Sequence, residues 1–179
     1  MKCSLRYCQA TTRAKNRSNP RVHRPHVCDA WKILSGGVKP GNDVLVIGGG
    51  LIGMETADYL SEQGSRVTLV EMLKRSPVLK ITSHGYMLHT RLRDKNCRLF
   101  FNTSLKSIGE GSEEIESEGN PSTLSPIDQV VLAVGLKPKD ELKAALEALK
   151  IPYALVGDAK RPRRIFEAVE EGARAAWEL

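Results

Sequence analysis

The chain has 179 residues, with 27 Lys and Arg against 21 Asp and Glu for a formal net charge of +6, a length that accommodates one ordinary α/β domain and not two complete ones. At 41% hydrophobic and 27% charged residues the composition is that of a globular protein, neither a disordered nor a membrane one. The longest apolar run, VVLAVGL at 130–136, falls far short of the roughly 18–20 residues of a membrane helix.

The elements follow in chain order. Residues 1–26 hold Lys2, Arg6, Arg13, Lys15, Arg17, Arg21 and Arg24 and no acid, so the positive charge sits at one end. The remainder has 20 basic and 21 acidic side chains. A single aromatic, Tyr7, lies among the basic residues, so this end is expected to be a disordered or irregular solvated segment rather than a nucleic-acid arm. It contains no apolar core of a secretory leader, which makes a cytoplasmic chain the expectation. Asp29 is placed to cap a short helix, Ala30 to Leu34, ended by the Ser35-Gly36-Gly37 turn. Val44 to Ile47 is continuously apolar and bounded by a turn and by glycines, as a strand buried on both faces would be. Leu51 to Gln63 reads as a helix with Gly64 as its stop, and Val67 to Val70 as a second buried strand. Strand, helix and strand make a right-handed βαβ unit with parallel strands.

A further helix is expected from Ser83 to Asn96, capped by Thr82 or Ser83. The period then changes to two, and Leu99 to Phe101, Leu105 to Ile108 and Ile115 to Glu118 are expected to form an antiparallel meander. Gly119 to Pro126, polar with two prolines, reads as a loop. Ile127 to Val134 is an apolar strand, Asp140 to Lys150 a solvated helix, Tyr153 to Val156 a strand, and Arg164 to Leu179 a last helix. In that helix Ile165, Ala168, Val169, Gly172, Ala173, Ala176 and Trp177 form a full apolar stripe, which should dock on the body of the protein or on a second chain.

The chemistry concentrates in VLVIGGGLIGMETADYL. It contains G-x-G-x-x-G as Gly48, Gly50 and Gly53, with Gly49 between the first two. The string follows a buried strand, opens a helix at Leu51 and Ile52, and is answered 23 residues after Gly48 by Glu71 at the end of the next strand. Gly48 allows the tight turn, Gly50 lets backbone approach a pyrophosphate, and Gly53 lets helix and sheet pack closely. The helix start presents free N–H groups and a positive dipole end to the phosphates. A carboxylate at Glu71 suits the two hydroxyls of an adenosine ribose and repels a 2′-phosphate, which favours NAD(H) over NADP(H). Lys74 and Arg75 follow closely and offer an alternative partner for such a phosphate. The cysteines, Cys3, Cys8, Cys28 and Cys97, contain no C-x-x-C pair, so no zinc ribbon or dithiol motif can be drawn. His23, His26, His84 and His89 are scattered and read as surface or packing residues, and no catalytic acid, base, nucleophile or metal ligand is assigned.

Three stretches together carry a family likeness: VLVIGGGLIGMETADYL, then DQVVLAVGLKP at 128–138, then YALVGDAKRPRRIFEAVEEGARAAWEL at 153–179. In that order they resemble the FAD-dependent pyridine nucleotide-disulfide oxidoreductases, most of all the C-terminal parts of the 2,4-dienoyl-CoA reductase, trimethylamine dehydrogenase and NADH:flavin oxidoreductase branch. The resemblance implies an oxidoreductase fold in which the NAD(P)H domain is inserted into the FAD domain. Ala133, Val134 and Gly135 would be the return crossing, Gly157 and Asp158 the late FAD motif that binds the ribitol, and Glu55 a neighbour of the nicotinamide. It divides the chain into the basic segment 1–26, a Rossmann-type NAD(P)H domain at 27–137 with a small antiparallel meander, and an FAD-domain remnant at 138–179. Ala10-Thr11-Thr12 resembles a degraded form of the outgoing crossing, and no second G-x-G-x-x-G for FAD precedes it. The function implied is hydride transfer from NADH to FAD. The alternative is a stand-alone, non-catalytic dinucleotide-binding module, because the leading half of an FAD domain is missing. The partners expected are the dinucleotide and either a second copy or a chain bearing an FAD domain, with no membrane and no nucleic acid.

Overall fold

A computed structural model describes residues 13–14, 24–138 and 141–178. The readings made for most of residues 1–23, including Ala10-Thr11-Thr12, Cys3 and Cys8, and those for Asp140 and Leu179, fall outside the described residues. The described residues fall into two compact units, one of residues 24–135 and one of residues 13–14 with 136–138 and 141–178.

The larger unit is built on a five-stranded parallel sheet of β2 (Val27–Asp29), β3 (Asp43–Ile47), β4 (Arg66–Val70), β5 (Arg98–Phe100) and β9 (Gln129–Leu132), in the order β2-β9-β3-β4-β5. Helices α1 (Ala30–Leu34), α2 (Leu51–Glu62) and α3 (Ser83–Asp94) follow β2, β3 and β4 in turn. The Asp29 side chain accepts from the Lys32 N–H at 2.9 Å and that of Thr82 from Gly85 N–H at 3.1 Å, so α1 and α3 begin at the caps read from sequence. Because side chains alternate along a strand, each central strand feeds two cores. Val44 and Val46, Val67 and Leu69, and Val131 join Ile33, Met54, Ala57, Leu60, Leu88 and Leu92 beneath the helices. Leu45, Val70, Val130 and Leu132 face the other way, onto Ile108, Ile115 and Ile127.

That second face is covered by an antiparallel sheet of β6 (Thr103–Ile108), β7 (Glu113–Ser117) and β8 (Asn120–Leu124). The meander therefore differs from expectation at both ends. Residues 98–100 pair with β4 in the parallel sheet, Leu69 opposite Leu99, so they belong to the nucleotide-binding layer. Residues 120–124, read as a loop, are a strand with Ile115 opposite Ser122. Pro121 is tolerated there because β8 is an edge strand. Fully buried between the layers, Glu113 accepts from Gly109 N–H at 2.9 Å, while His26 lies 3.6 Å from its other oxygen without hydrogen bonding to it. Burial pushes the Glu113 carboxyl up from its ordinary value.

In the smaller unit β1 (Arg13–Ala14) pairs antiparallel with β10 (Leu136–Lys137), followed by α4 (Glu141–Ala148), a 3-10 turn at Gly157–Ala159 and α5 (Ile165–Trp177). Tyr153 to Val156 is not a strand, since the residues form no ladder. The α5 stripe does not become a buried face within the chain: no residue of the helix is buried, and Ile165 and Trp177 are 83% and 86% exposed. Its inner contact is with the 3-10 turn, where a Cβ on Gly157 would come within 3.1 Å of Ala168 Cβ. Among the described residues no helix is long and apolar enough to cross a membrane.

Candidate functional site

The carboxyl end of β3 is the centre of the site. The chain leaves β3 at Gly48 with φ +107°, a conformation that glycine adopts without penalty. Gly48 N–H donates to the Val70 carbonyl at 2.9 Å, and a Cβ on Gly48 would press to 2.6 Å from the Ala133 carbonyl oxygen. Gly53 is held as closely: its Cβ would overlap the Gly48 carbonyl oxygen and stand 3.2 Å from Ala133 Cβ. Gly49 is required by Glu71, whose Cβ would be 2.9 Å from a Cβ added there.

Gly50 is different. Its φ of −68° and ψ of 178° suit any residue, and a Cβ built on it meets nothing within 4 Å. It is the N-cap of α2, yet no side chain caps the helix. The N–H groups of the first turn, at Leu51, Ile52 and Gly53, have no intrahelical acceptors and no capping side chain. Neither conformation nor internal packing requires glycine at 50, and the space in front of it stays clear of protein atoms. The residues therefore fit a dinucleotide whose pyrophosphate rests on the helix start.

Glu71 ends β4 beside this turn and is buried. One carboxylate oxygen accepts from Gly49 N–H at 2.7 Å and the other from Leu73 N–H at 2.8 Å. A carboxylate has about four acceptor positions, so lone pairs remain for other donors. Lys74 and Arg75 are exposed in the following loop. Glu55, half-buried on the second turn of α2, has a partner that no sequence signal indicates: His84 Nε2 lies 3.1 Å from Glu55 Oε1. The two are 29 residues apart, and only the packing of α2 on α3 brings them together. His89 on the same helix is a packing residue, buried and bonded to the Val78 carbonyl at 3.0 Å.

Ala133 and Val134 follow β9 and are half-buried, and Gly135 has φ +94°. Ala133 N–H donates to the Ile47 carbonyl at 2.8 Å, which fixes the carbonyl under Gly48. Gly157 and Asp158 lie in the other unit. Gly157 N–H donates to Glu171 at 2.8 Å, and this bond, with Arg163 and Lys160 beside it, holds the Glu171 carboxyl below its ordinary range. Asp158 accepts from Arg163 N–H at 3.4 Å. A cavity of about 350 Å³ in this unit is lined by Val156, Lys160, Arg163, Glu170 and Arg174.

A parallel sheet whose central strand opens through a glycine turn into a helix, with an acid closing the next strand, defines a Rossmann-type dinucleotide-binding unit. The chain matches the family profile described as pyridine nucleotide-disulphide oxidoreductase over residues 3–159, and it belongs to that family. The family depends on a pyridine nucleotide and a flavin. Among curated relatives, a bilirubin reductase of Mediterraneibacter gnavus is 39% identical over 153 residues, 85% of this chain and 24% of the relative. An NADH oxidase of Thermoanaerobacter brockii is 34% identical over 161 residues, 86% of this chain and 24% of the relative. The chain thus spans about a quarter of the length of these relatives. Of solved structures, a 2-naphthoyl-CoA reductase shares the fold at TM-score 0.83 and 24% identity, over 94% of this chain and 26% of that one. Histamine dehydrogenase from Rhizobium sp. 4-9 does so at TM-score 0.79 and 22% identity, over 95% of this chain and 29% of that one.

Proposed function

We propose that residues 27–137 bind NADH and present its nicotinamide to an FAD held with residues 138–179, so that hydride passes from NADH to the flavin. The observation that carries this reading is Gly50, a glycine that neither its backbone angles nor its packing demands, placed where a pyrophosphate would meet the first turn of α2. When bound, the two cofactors supply the redox chemistry, and the protein supplies position. In this reading Gly48, Gly49, Gly50, Leu51, Ile52 and Gly53 hold the pyrophosphate, and Glu71 takes the ribose hydroxyls with its remaining lone pairs. The charge of Glu71 disfavours a 2′-phosphate, while Lys74 and Arg75 set the residual affinity for NADPH. Glu55, with His84 behind it, borders the nicotinamide, and Ala133, Val134 and Gly135 form its floor. Gly157 and Asp158 take the flavin ribitol.

The relatives' printed names, a reductase and an NADH oxidase, support a nicotinamide as electron donor. The exposed stripe of α5 supports a partner, either a second copy or a chain bearing an FAD domain, that covers it. Anaerobic addition of NADH to the purified protein incubated with FAD tests the transfer. Bleaching of bound flavin near 450 nm is the expected result. NADH binding without flavin binding would leave a nucleotide-holding module with no turnover and overturn the transfer step.

A further inference from the structure

Glu71 ties two loops of this fold together through its own hydrogen bonds. Both of its oxygens accept backbone N–H groups, Gly49 from the turn after β3 and Leu73 from the loop after β4. The two loops lie at the carboxyl ends of adjacent parallel strands, past the last ladder pair Ile47 and Val70 and the bond from Gly48 N–H to the Val70 carbonyl, and the Glu71 carboxylate links them directly. A buried carboxylate accepting two N–H groups is a strong tie, since charge-assisted bonds are shorter and about twice as strong as neutral ones. The tie also explains Gly49, which occupies an unspecified position of G-x-G-x-x-G. A Cβ there would stand 2.9 Å from Glu71 Cβ and 3.3 Å from its Oε2, and would push the carboxylate off the amide.

We infer that Glu71 is a positioning residue for the phosphate-facing turn: its carboxylate latches Gly49 to the loop at Leu73 in the nucleotide-free protein and so holds residues 48–53 in the shape that receives a pyrophosphate. The inference rests on the dinucleotide reading for its consequence and on the two hydrogen bonds alone for the latch. A group that served only the ribose would matter only to ligands that carry the ribose diol. A latch matters to every ligand that carries the phosphates.

The test uses ADP and 2′,3′-dideoxy-ADP, which differ only in the diol, as calorimetric probes of the full chain. In Glu71→Gln one carboxylate oxygen is replaced by an NH2 group, which sets donor against donor at one of the two amides. Dideoxy-ADP is expected to bind about ten-fold more weakly than to the wild type, and ADP, which also loses its diol contact, by at least that factor. Amide hydrogen exchange of the nucleotide-free protein should be faster over residues 48–53 and unchanged in β3 and β4, which also shows that the variant is folded. Gly49→Ala, which disturbs the same contact from the other side, should reproduce both effects, and the double variant should be no worse than either single one. Loss of ADP affinity with dideoxy-ADP binding intact, retention of both affinities, or unchanged exchange over 48–53 would each overturn the latch. If the wild type binds neither ADP nor NADH, the dinucleotide reading falls while the exchange measurement still decides the latch.

Discussion

Replacing Gly50 by alanine separates binding from folding. The backbone at 50 already has angles open to alanine, and the new methyl group meets no protein atom within 4 Å. Alanine in a compatible backbone gains about 0.4–1 kcal/mol through the unfolded chain, and its weaker N-cap preference costs a comparable amount, about 0.5–1 kcal/mol. The net change in stability is expected to stay within about 1 kcal/mol, or about 2–4 °C in Tm for a chain of this size. The methyl group nevertheless occupies the space in which a phosphate oxygen must come to about 2.9 Å from an N–H of the helix start. Forcing one extra methyl group into a filled contact costs about 1–3 kcal/mol, so NADH should bind roughly 5- to 150-fold more weakly. Calorimetric titration with NADH, run beside urea unfolding, reads both quantities on one preparation. Wild-type affinity in Gly50→Ala would show that no phosphate rests against this turn, and the argument from Gly50 would fail.

Gly53→Ala should give the opposite pattern. Its methyl group overlaps the Gly48 carbonyl oxygen and crowds Ala133, so a loss of about 2 kcal/mol or more in urea unfolding is expected, whether or not nucleotide is present. Glu113→Gln should change the pH dependence of stability. Burial raises the Glu113 carboxyl above its ordinary 4.5, so the folded state holds that proton more tightly. The stability this confers is present below 4.5 and lost as pH rises through the folded value. The Tm of Glu113→Gln relative to wild type should therefore climb between pH 4 and pH 7, and a constant difference would contradict the raised Glu113 carboxyl. Burial pushes the Cys28 thiol up to about 11, so iodoacetamide at pH 8 should label Cys28 slowly in the folded protein and rapidly in urea, read by peptide mass spectrometry. Rapid labelling of the folded protein would contradict the placement of β2 in the sheet.

What the sequence revealed and what it hid have physical causes. The central strands were legible because Val44 to Ile47 and Val67 to Val70 are buried on both faces and therefore continuously apolar. The caps Asp29 and Thr82 were legible because their side chains bond backbone only three residues away. The reading of Leu99 to Phe101 as part of the meander fails because the three-residue strand Arg98–Phe100 carries no period that distinguishes a parallel edge from an antiparallel one. Asn120–Leu124 was hidden because a nearly exposed edge strand has neither alternation nor an apolar run to mark it. Tyr153 to Val156 has a strand-like composition, but pairing needs a neighbour, and composition does not supply one. In the site, the glycine turn and Glu71 form a local pattern that reads directly. The Glu55–His84 pair, 29 residues apart, depends on how α3 packs on α2, which no spacing encodes.

The central claim is that the turn at residues 48–53 and Glu71 receive a nicotinamide dinucleotide. Parallel calorimetric titrations of the wild-type chain with NADH and NADPH test it most directly. Saturable one-to-one binding of NADH, tighter than that of NADPH, is the predicted result, and absence of binding by both nucleotides would contradict the account.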